Sequence, residues 1–432
     1  MSVLKAEIEC DETANMREHN RVDYGESQDL GMVTRRQHQI AFAPHKSYTA
    51  STSASFEPVI PAPIDIEIKI SGSDFVDGRN SWLYFKLKSN VDSNPKYSYG
   101  NGSALNWVKA IKILGSDGQT IDDLSSSNLY MTHRDRWSNS SGYFNVDQES
   151  VGELKGYGLG VKDGGFVCPL SDLIPLFNYD KLLPSNLLNG MRIILTLAPP
   201  HEVFKHDIGI ALTADVNYEL SDIRLMLDTY VMDTKIQQTL TQSEIIIEYD
   251  TYKTQTKMYE SQTLRMPLTY SVAKASHAFV VAHWVSTVDD DEQKEKESLA
   301  LDYMAGEDPL SLDEYRWRIG NQFQPNIPIK NDVEALAHAL TVFNKLTTNL
   351  GNISISPASF SATQNCFCVN LRRAGGGTPI NNGNQLELQL SHKTTDRRLA
   401  TMFCVYKKQL RLKPVTEIER LNGYTPKLAI LE

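Results

Sequence analysis

The stretch Ile64-Asp65-Ile66-Glu67-Ile68-Lys69-Ile70 alternates apolar and charged residues without a break. Side chains of an extended strand point to opposite faces in turn, so one face carries only isoleucine and the other only charge. The segment is a half-buried β-strand. The same grammar recurs outward from it: Trp82-Leu83-Tyr84-Phe85-Lys86-Leu87, Val108-Lys109-Ala110-Ile111-Lys112-Ile113-Leu114 and Gly190-Met191-Arg192-Ile193-Ile194-Leu195-Thr196-Leu197 are strand-like runs between clusters of Gly, Asn, Asp and Ser. Asp117-Gly118 reads as a hairpin turn. A run from Asp215 to Asp228 reads as one long strand or two strands meeting at a bend, and it closes a first set.

A second set opens at Glu244-Ile245-Ile246-Ile247-Glu248-Tyr249 and continues through 262–268 and 277–284, then Tyr315-Arg316-Trp317-Arg318-Ile319. Cys366-Phe367-Cys368-Val369-Asn370-Leu371, Gln385-Leu386-Glu387-Leu388-Gln389-Leu390 and residues 399–412 end it. Helical signals are few. Val333, Leu336, Leu340 and Phe343 share a stripe behind Asn331 and Glu334, which resemble a capping box. A shorter helix is expected over 170–177, with Ser171 as N-cap, in the equivalent loop of the first half. Residues 125–160 and 286–312 resist assignment and read as elaborated loops at similar positions in the two halves. The second contains the charged run Asp289-Asp290-Asp291-Glu292-Gln293-Lys294-Glu295-Lys296-Glu297, suited to a solvent-facing surface.

These patterns imply an all-β chain of two similar halves. At 432 residues it exceeds what one core usually fills, and 41% hydrophobic against 22% charged residues suffices for a large core. No apolar run approaches the roughly 20 residues of a membrane-spanning helix. The N-terminal MSVLKAEIECDETANMREHN has acidic residues where a secretory signal would be apolar, which points to synthesis in the cytosol. Cys10, Cys168, Cys366, Cys368 and Cys404 form an odd, scattered set, expected to be reduced. The glycosylation-type triplets at Asn101, Asn139 and Asn352 then read as bare loops. A net charge of −10 argues against coating nucleic acid directly, and Arg35-Arg36, Arg372-Arg373 and Arg397-Arg398 are pairs on solvated faces.

The search for chemistry ends without a site. His133-Arg134-Asp135 echoes a kinase catalytic loop, but Ser140 stands where that loop needs asparagine. Gly375-Gly376-Gly377 has no helix pattern after it and reads as a turn rather than a phosphate cradle. Cys366 and Cys368 share a strand face without further metal-type ligands, and Asp122-Asp123 reads as solvated carboxylates in a turn. Trp82, Tyr84, Trp284 and Trp317 lie in strand patterns and are expected to fill the core, while Trp137 and Tyr143, aromatic residues in a polar insertion, read equally as contact residues or as local loop packing. No residue is assigned to catalysis, cofactor binding or metal binding.

Particular phrases carry a resemblance: Ser71-Gly72-Ser73-Asp74-Phe75-Val76-Asp77, Trp82-Leu83-Tyr84-Phe85, and above all Pro169-Leu170-Ser171-Asp172-Leu173-Ile174-Pro175-Leu176-Phe177 followed by Leu182-Leu183-Pro184 and Asn189-Gly190-Met191-Arg192-Ile193. Ile319-Gly320-Asn321-Gln322-Phe323-Gln324-Pro325 adds to it in the second half. Over roughly residues 56–412 the chain resembles double jelly-roll major capsid proteins of tailless icosahedral DNA viruses. It is most similar to those of Polinton-type elements and adintoviruses, and more distantly to adenovirus hexon, virophage and tailless phage capsid proteins.

The resemblance implies two tandem eight-stranded jelly-roll barrels with short helices in loops. Residues 1–55 would be an N-terminal arm, 56–235 the first jelly roll, 236–412 the second, and 413–432 a C-terminal tail, with 125–160 and 286–312 facing outward. It also implies homotrimeric, pseudo-hexagonal capsomers tiling a shell. The partners would be neighbouring capsomers, penton and minor or cement capsid proteins, with contact to an inner membrane left open. The location would be the virion, and the family brings no catalytic residues to carry over. The competing reading is a glycan- or receptor-binding β-sandwich, since jelly rolls also serve as lectins.

Overall fold

The computed structural model describes residues 33–43, 47–51, 64–72, 74–89, 97–99, 107–138, 165–199, 203–206, 217–233, 244–284, 312–343, 366–373, 376–381, 383–393, 395, 398–412 and 428–431. In the first half the strands are β1 (Val33–Phe42), β2 (Ser47–Ser51), β3 (Asp65–Lys69), β4 (Phe75–Ser89), β5 (Tyr97–Tyr99), β6 (Val108–Leu114) and β7 (Thr120–Ser125). Helix α1 (Ser127–Ser138) follows, then β8 (Gly165–Pro169), β9 (Arg192–Leu197), β10 (Phe204–His206) and β11 (Asn217–Met232). One sheet has the order β1-β11-β4-β8, with β2 also beside β11, and a second has the order β3-β9-β6-β7.

The second half holds β12 (Ile245–Tyr259), β13 (Thr263–Pro267), β14 (Val272–Trp284), β15 (Leu312–Ile319) and β16 (Gln322–Ile329). After helix α2 (Asp332–Val342) come β17 (Phe367–Asn370), β18 (Thr378–Ile380), β19 (Leu386–His392), β20 (Arg398–Leu412) and β21 (Leu428–Leu431). Its sheets run β12-β20-β14-β17 and β13-β19-β15-β16. When the eight principal strands of either half are counted in chain order, one sheet reads 1-8-3-6 and the other 2-7-4-5. That is the winding of a jelly roll, in which paired strands wrap between two facing sheets. The winding occurs twice, with β7 to α1 and β16 to α2 at the same place in each.

Period-two burial drives the assembly. In β3 the pattern is exposed-buried throughout: Ile66 stands opposite Leu195 and Ile68 opposite Ile193 of β9, all buried, as is Ile70 just beyond the strand. Each such side chain contributes about 1.5–3 kcal/mol when removed from water. The run 215–228 proves to be part of a single strand, β11, whose register with β4 shifts twice and whose Asp222 sits at φ 53.

Several expectations are corrected. Two strands fall inside the stretch 1–55 read as an arm. β1 and β2 lie one after the other along β11, and the Arg36 guanidinium donates to both carboxylate oxygens of Asp228 at 3.0 and 2.8 Å. The polar composition concealed this because β1 is an edge strand with one face open. The helix in the equivalent loop is α1, inside the unassigned stretch 125–160. The segment 170–177 instead follows β8 as a four-residue helical turn, Leu170–Leu173, and a 3-10 turn, Pro175–Asn178. Pro169, not Ser171, occupies the N-cap there.

The two long insertions are not at similar positions either. One separates β7 from β8, the other β14 from β15. Trp82 and Tyr84 are half-buried on the outer face of β4, since Leu83, Phe85 and Leu87 take the inner one, whereas Trp317 is in the core. Trp284's side chain, Tyr143, Cys10, the run 289–297 and residues 413–427 lie outside what is described.

Candidate assembly interface

A buried ion pair and an aromatic cluster lie on the seam where the first half meets the second. Strand β7 and helix α1 lie against β12, β20 and β14. At its polar end Asp122 and Lys408 pair at 3.3 Å with side chains 2% and 3% exposed. Tyr249 donates its hydroxyl to Asp122 at 2.7 Å, Thr251 at 3.4 Å, and the Lys408 ammonium also donates to the Ile121 carbonyl. Burial drives the Asp122 pKa up, and the Lys408 charge and the hydroxyl donors counter it only in part. Two charges so placed are held by geometry, because either one alone would be stranded out of water.

Further along, the seam turns aromatic. Directly opposed residues in a sheet share a face, so Thr254, Phe403 and Phe279 form one row across β12, β20 and β14, and Tyr252, Val405 and His277 form the next. Tyr130 of α1 stacks on Tyr252 with ring centroids 3.7 Å apart and reaches Phe403 at 5.6 Å. His133 lies 5.7 Å from Phe279, Trp137 stacks on Phe343 at 4.9 Å, and the Ser125 carbonyl accepts from Thr254 at 2.9 Å. Tyr252 donates to Ser127 at 3.1 Å, and its burial raises its pKa.

The sequence-singled residues therefore change meaning. Asp122 is no solvated turn carboxylate but the buried anion of the seam. His133, from the kinase-like fragment, is a buried packing residue, and of the two readings of Trp137 the structure favours packing within the chain, on Phe343 of the second half. Cys366 stands just before β17 and Cys368 within it, their sulfurs 3.3 Å apart, and Cys168, Cys366, Cys368 and Cys404 are all unbridged and buried. Burial pushes the Cys404 thiol up to about 12 and Cys368 well above its usual value. Gly377 packs where an added Cβ would meet the Lys274 and Ala275 backbone at 2.7 Å, so it serves a close approach of strands. Among the described residues no group of His, Cys, Asp and Glu could hold a metal ion, and no helix is long and apolar enough to cross a membrane.

Sequence reasoning passed over Lys408 and Tyr130. The one available signal was the second lysine of Tyr406-Lys407-Lys408, which falls on the buried beat of β20 while Lys407 falls on the exposed one.

No protein-family profile and no characterised protein sequence matches the chain. Solved structures do. The VP54 protein of PBCV-1, fitted into a reconstruction of the virophage Sputnik, superposes with a TM-score of 0.58 at 10% identity, covering 92% of this chain and 98% of that one. The chain has the double jelly-roll fold. The mavirus major capsid protein shares the double jelly roll with a TM-score of 0.53 at 9% identity over 95% of each chain. The Faustovirus major capsid protein does so with 0.53 at 8% identity, over 87% of this chain and 90% of its own. At such identities the double jelly roll is what is shared, and no side-chain role transfers.

Proposed function

We propose that the chain is a structural major capsid protein, working by self-assembly rather than catalysis. The observation that carries the reading is coverage: the VP54 and mavirus structures match 92% and 95% of this chain over 98% and 95% of their own length. In this reading the first barrel begins with β1 at Val33, ahead of the expected boundary at 56, and runs to about 235, while 236–412 forms the second barrel of the same subunit. Three subunits close a pseudo-hexagonal capsomer, and capsomers tile an icosahedral shell. Neighbouring capsomers, penton and minor or cement proteins are the partners, without sequence-specific nucleic-acid binding. The protein is made in the host cytosol and ends in the virion.

Light scattering with negative-stain imaging of the purified protein tests this. Hexagonal trimers or closed shells are expected. A chain that stays monomeric across concentration and salt would instead favour the glycan- or receptor-binding β-sandwich and lead to glycan screening.

A further inference from the structure

The sheet of β13, β19, β15 and β16 turns a polar face outward, and three arginines stand on it. Arg265, Gln389 and Arg316 form one row across β13, β19 and β15, and Glu387, Arg318 and Phe323 form the next across β19, β15 and β16. Arg265 and Arg318 are exposed and Arg316 is half-buried. The chain holds 53 acidic against 43 basic residues, so carboxylates are plentiful. Yet none of the three arginines takes part in an ion pair among the described residues, and Glu387, opposite Arg318, accepts from the Gln389 amide at 3.1 Å instead. At the margin of the face Lys330 holds Glu314 at 3.8 Å. The equivalent sheet of the first half pairs its arginine, Arg192 with Glu67 at 3.6 Å.

Two of the arginines are set in place rather than loose. The Arg316 guanidinium lies 4.0 Å over the Phe323 ring, and its Nε donates to Gln389 at 3.2 Å. Arg318 donates its Nε to the Gly320 carbonyl at 2.9 Å. The terminal nitrogens of both have no partner among the described residues, so each presents the paired N–H groups that grip an oxyanion at two points. Alternate residues of a strand are about 6.6 Å apart and next-but-one strands about 9.6 Å, which spaces the three cations for a ligand carrying several oxyanions along its length. A nucleic acid is one such ligand, but the Phe323 ring is capped by Arg316 and offers no base a stacking surface. Arg316 and Arg318 also stand a few residues from Leu312, where β15 leaves the insertion 286–312 that faces outward in the capsid reading.

We propose that the outer face of β13, β19 and β15 binds a sulfated polysaccharide, with sulfates gripped by Arg316 and Arg318 and a further one met by Arg265. The choice of an extracellular polyanion rests on the capsid reading; the two arginine forks do not.

Titration calorimetry of a heparin octasaccharide into the full chain tests this, with light scattering of the same samples to read the oligomeric state. Arg316→Gln with Arg318→Gln is expected to weaken binding roughly 10-fold or more, Arg265→Gln by a smaller factor, and Arg192→Gln, which removes a cation already paired, not at all. All four side chains lie at the surface, so circular dichroism should be the same in every variant. Added salt should cost the wild type more affinity than the double variant. No binding by the wild type, equal binding by the double variant, or tighter binding of an oligodeoxynucleotide of equal charge overturns the inference. Trimers without affinity for heparin overturn it while sparing the capsid reading. A monomer that binds heparin through these arginines upholds the site and overturns the capsid reading.

Discussion

Replacing Lys408 with methionine removes the cation from the seam and leaves Asp122 buried with two hydroxyl donors, Tyr249 at 2.7 Å and Thr251 at 3.4 Å. Both members of the pair are at most 3% exposed, so neither can turn to water. Breaking such a pair by deleting one partner costs about 3–5 kcal/mol, and the Ile121 carbonyl that loses its donor adds about 1 kcal/mol. The loss should depend on pH. Burial already raises the Asp122 pKa and Lys408 is the charge that counters it, so the variant's folded-state pKa moves higher still above the unfolded value of 3.8. A carboxyl raised in the folded state binds more protons folded than unfolded. Its favourable contribution is complete below the unfolded pKa and drains away as pH rises through the folded one. The variant's deficit should therefore be smaller near pH 5 than near pH 8. Urea titrations at both pH values, with Asp122→Asn and the double variant Asp122→Leu with Lys408→Met, complete a mutant cycle. The double variant should lie within about 1 kcal/mol of wild type or above it, since apolar replacement of a buried pair is commonly neutral or stabilising. A Lys408→Met deficit under about 1 kcal/mol, equal at both pH values, would refute the reasoning.

Other consequences follow from single contacts. Phe279→Ala empties the aromatic end of the seam and should cost about 3–5 kcal/mol in urea unfolding. Asn331→Ala removes the side-chain oxygen that accepts from the Glu334 amide at 2.9 Å, and should cost about 0.5–2 kcal/mol with a matching loss of helical ellipticity. Gly78→Ala would set a Cβ 2.3 Å from the Phe177 carbonyl oxygen, so soluble yield and melting temperature should both fall. His392, 2% exposed, has its pKa lowered to about 3, chiefly by burial and then by Arg398. It therefore favours folding fully above its unfolded value near 6.5 and loses that contribution as pH falls toward 3. His392→Gln should flatten the acid limb by up to about 1.4 kcal/mol per pH unit.

Strands and their faces were legible because alternation is a local signal: β3, β6, β9 and β19 announce themselves in a few residues. What escaped notice depends on contacts far apart in sequence. Helix α1 is barely amphipathic in the usual sense, because it buries Tyr130, His133 and Trp137 against another half rather than one apolar stripe against its own. Asp122 looks like a turn residue until Lys408, 286 positions away, closes on it. Val33–Phe42 lacks a strong pattern because an open edge strand has its apolar residues divided between a core and an outward face. The capping of α2 by Asn331, by contrast, is written within four residues and could be read directly.

The four buried thiols also make the fold its own timekeeper. A thiol reacts as thiolate and only where reagent can reach it; all four are dry, and burial also holds Cys368 and Cys404 protonated. Cys168 belongs to the first jelly roll and Cys366, Cys368 and Cys404 to the second. With Cys10→Ser in place, the rate at which an alkylating agent marks Cys168 clocks the opening of one barrel, and marking of the other three clocks its neighbour. If the seam couples the two, both clocks must run at one speed.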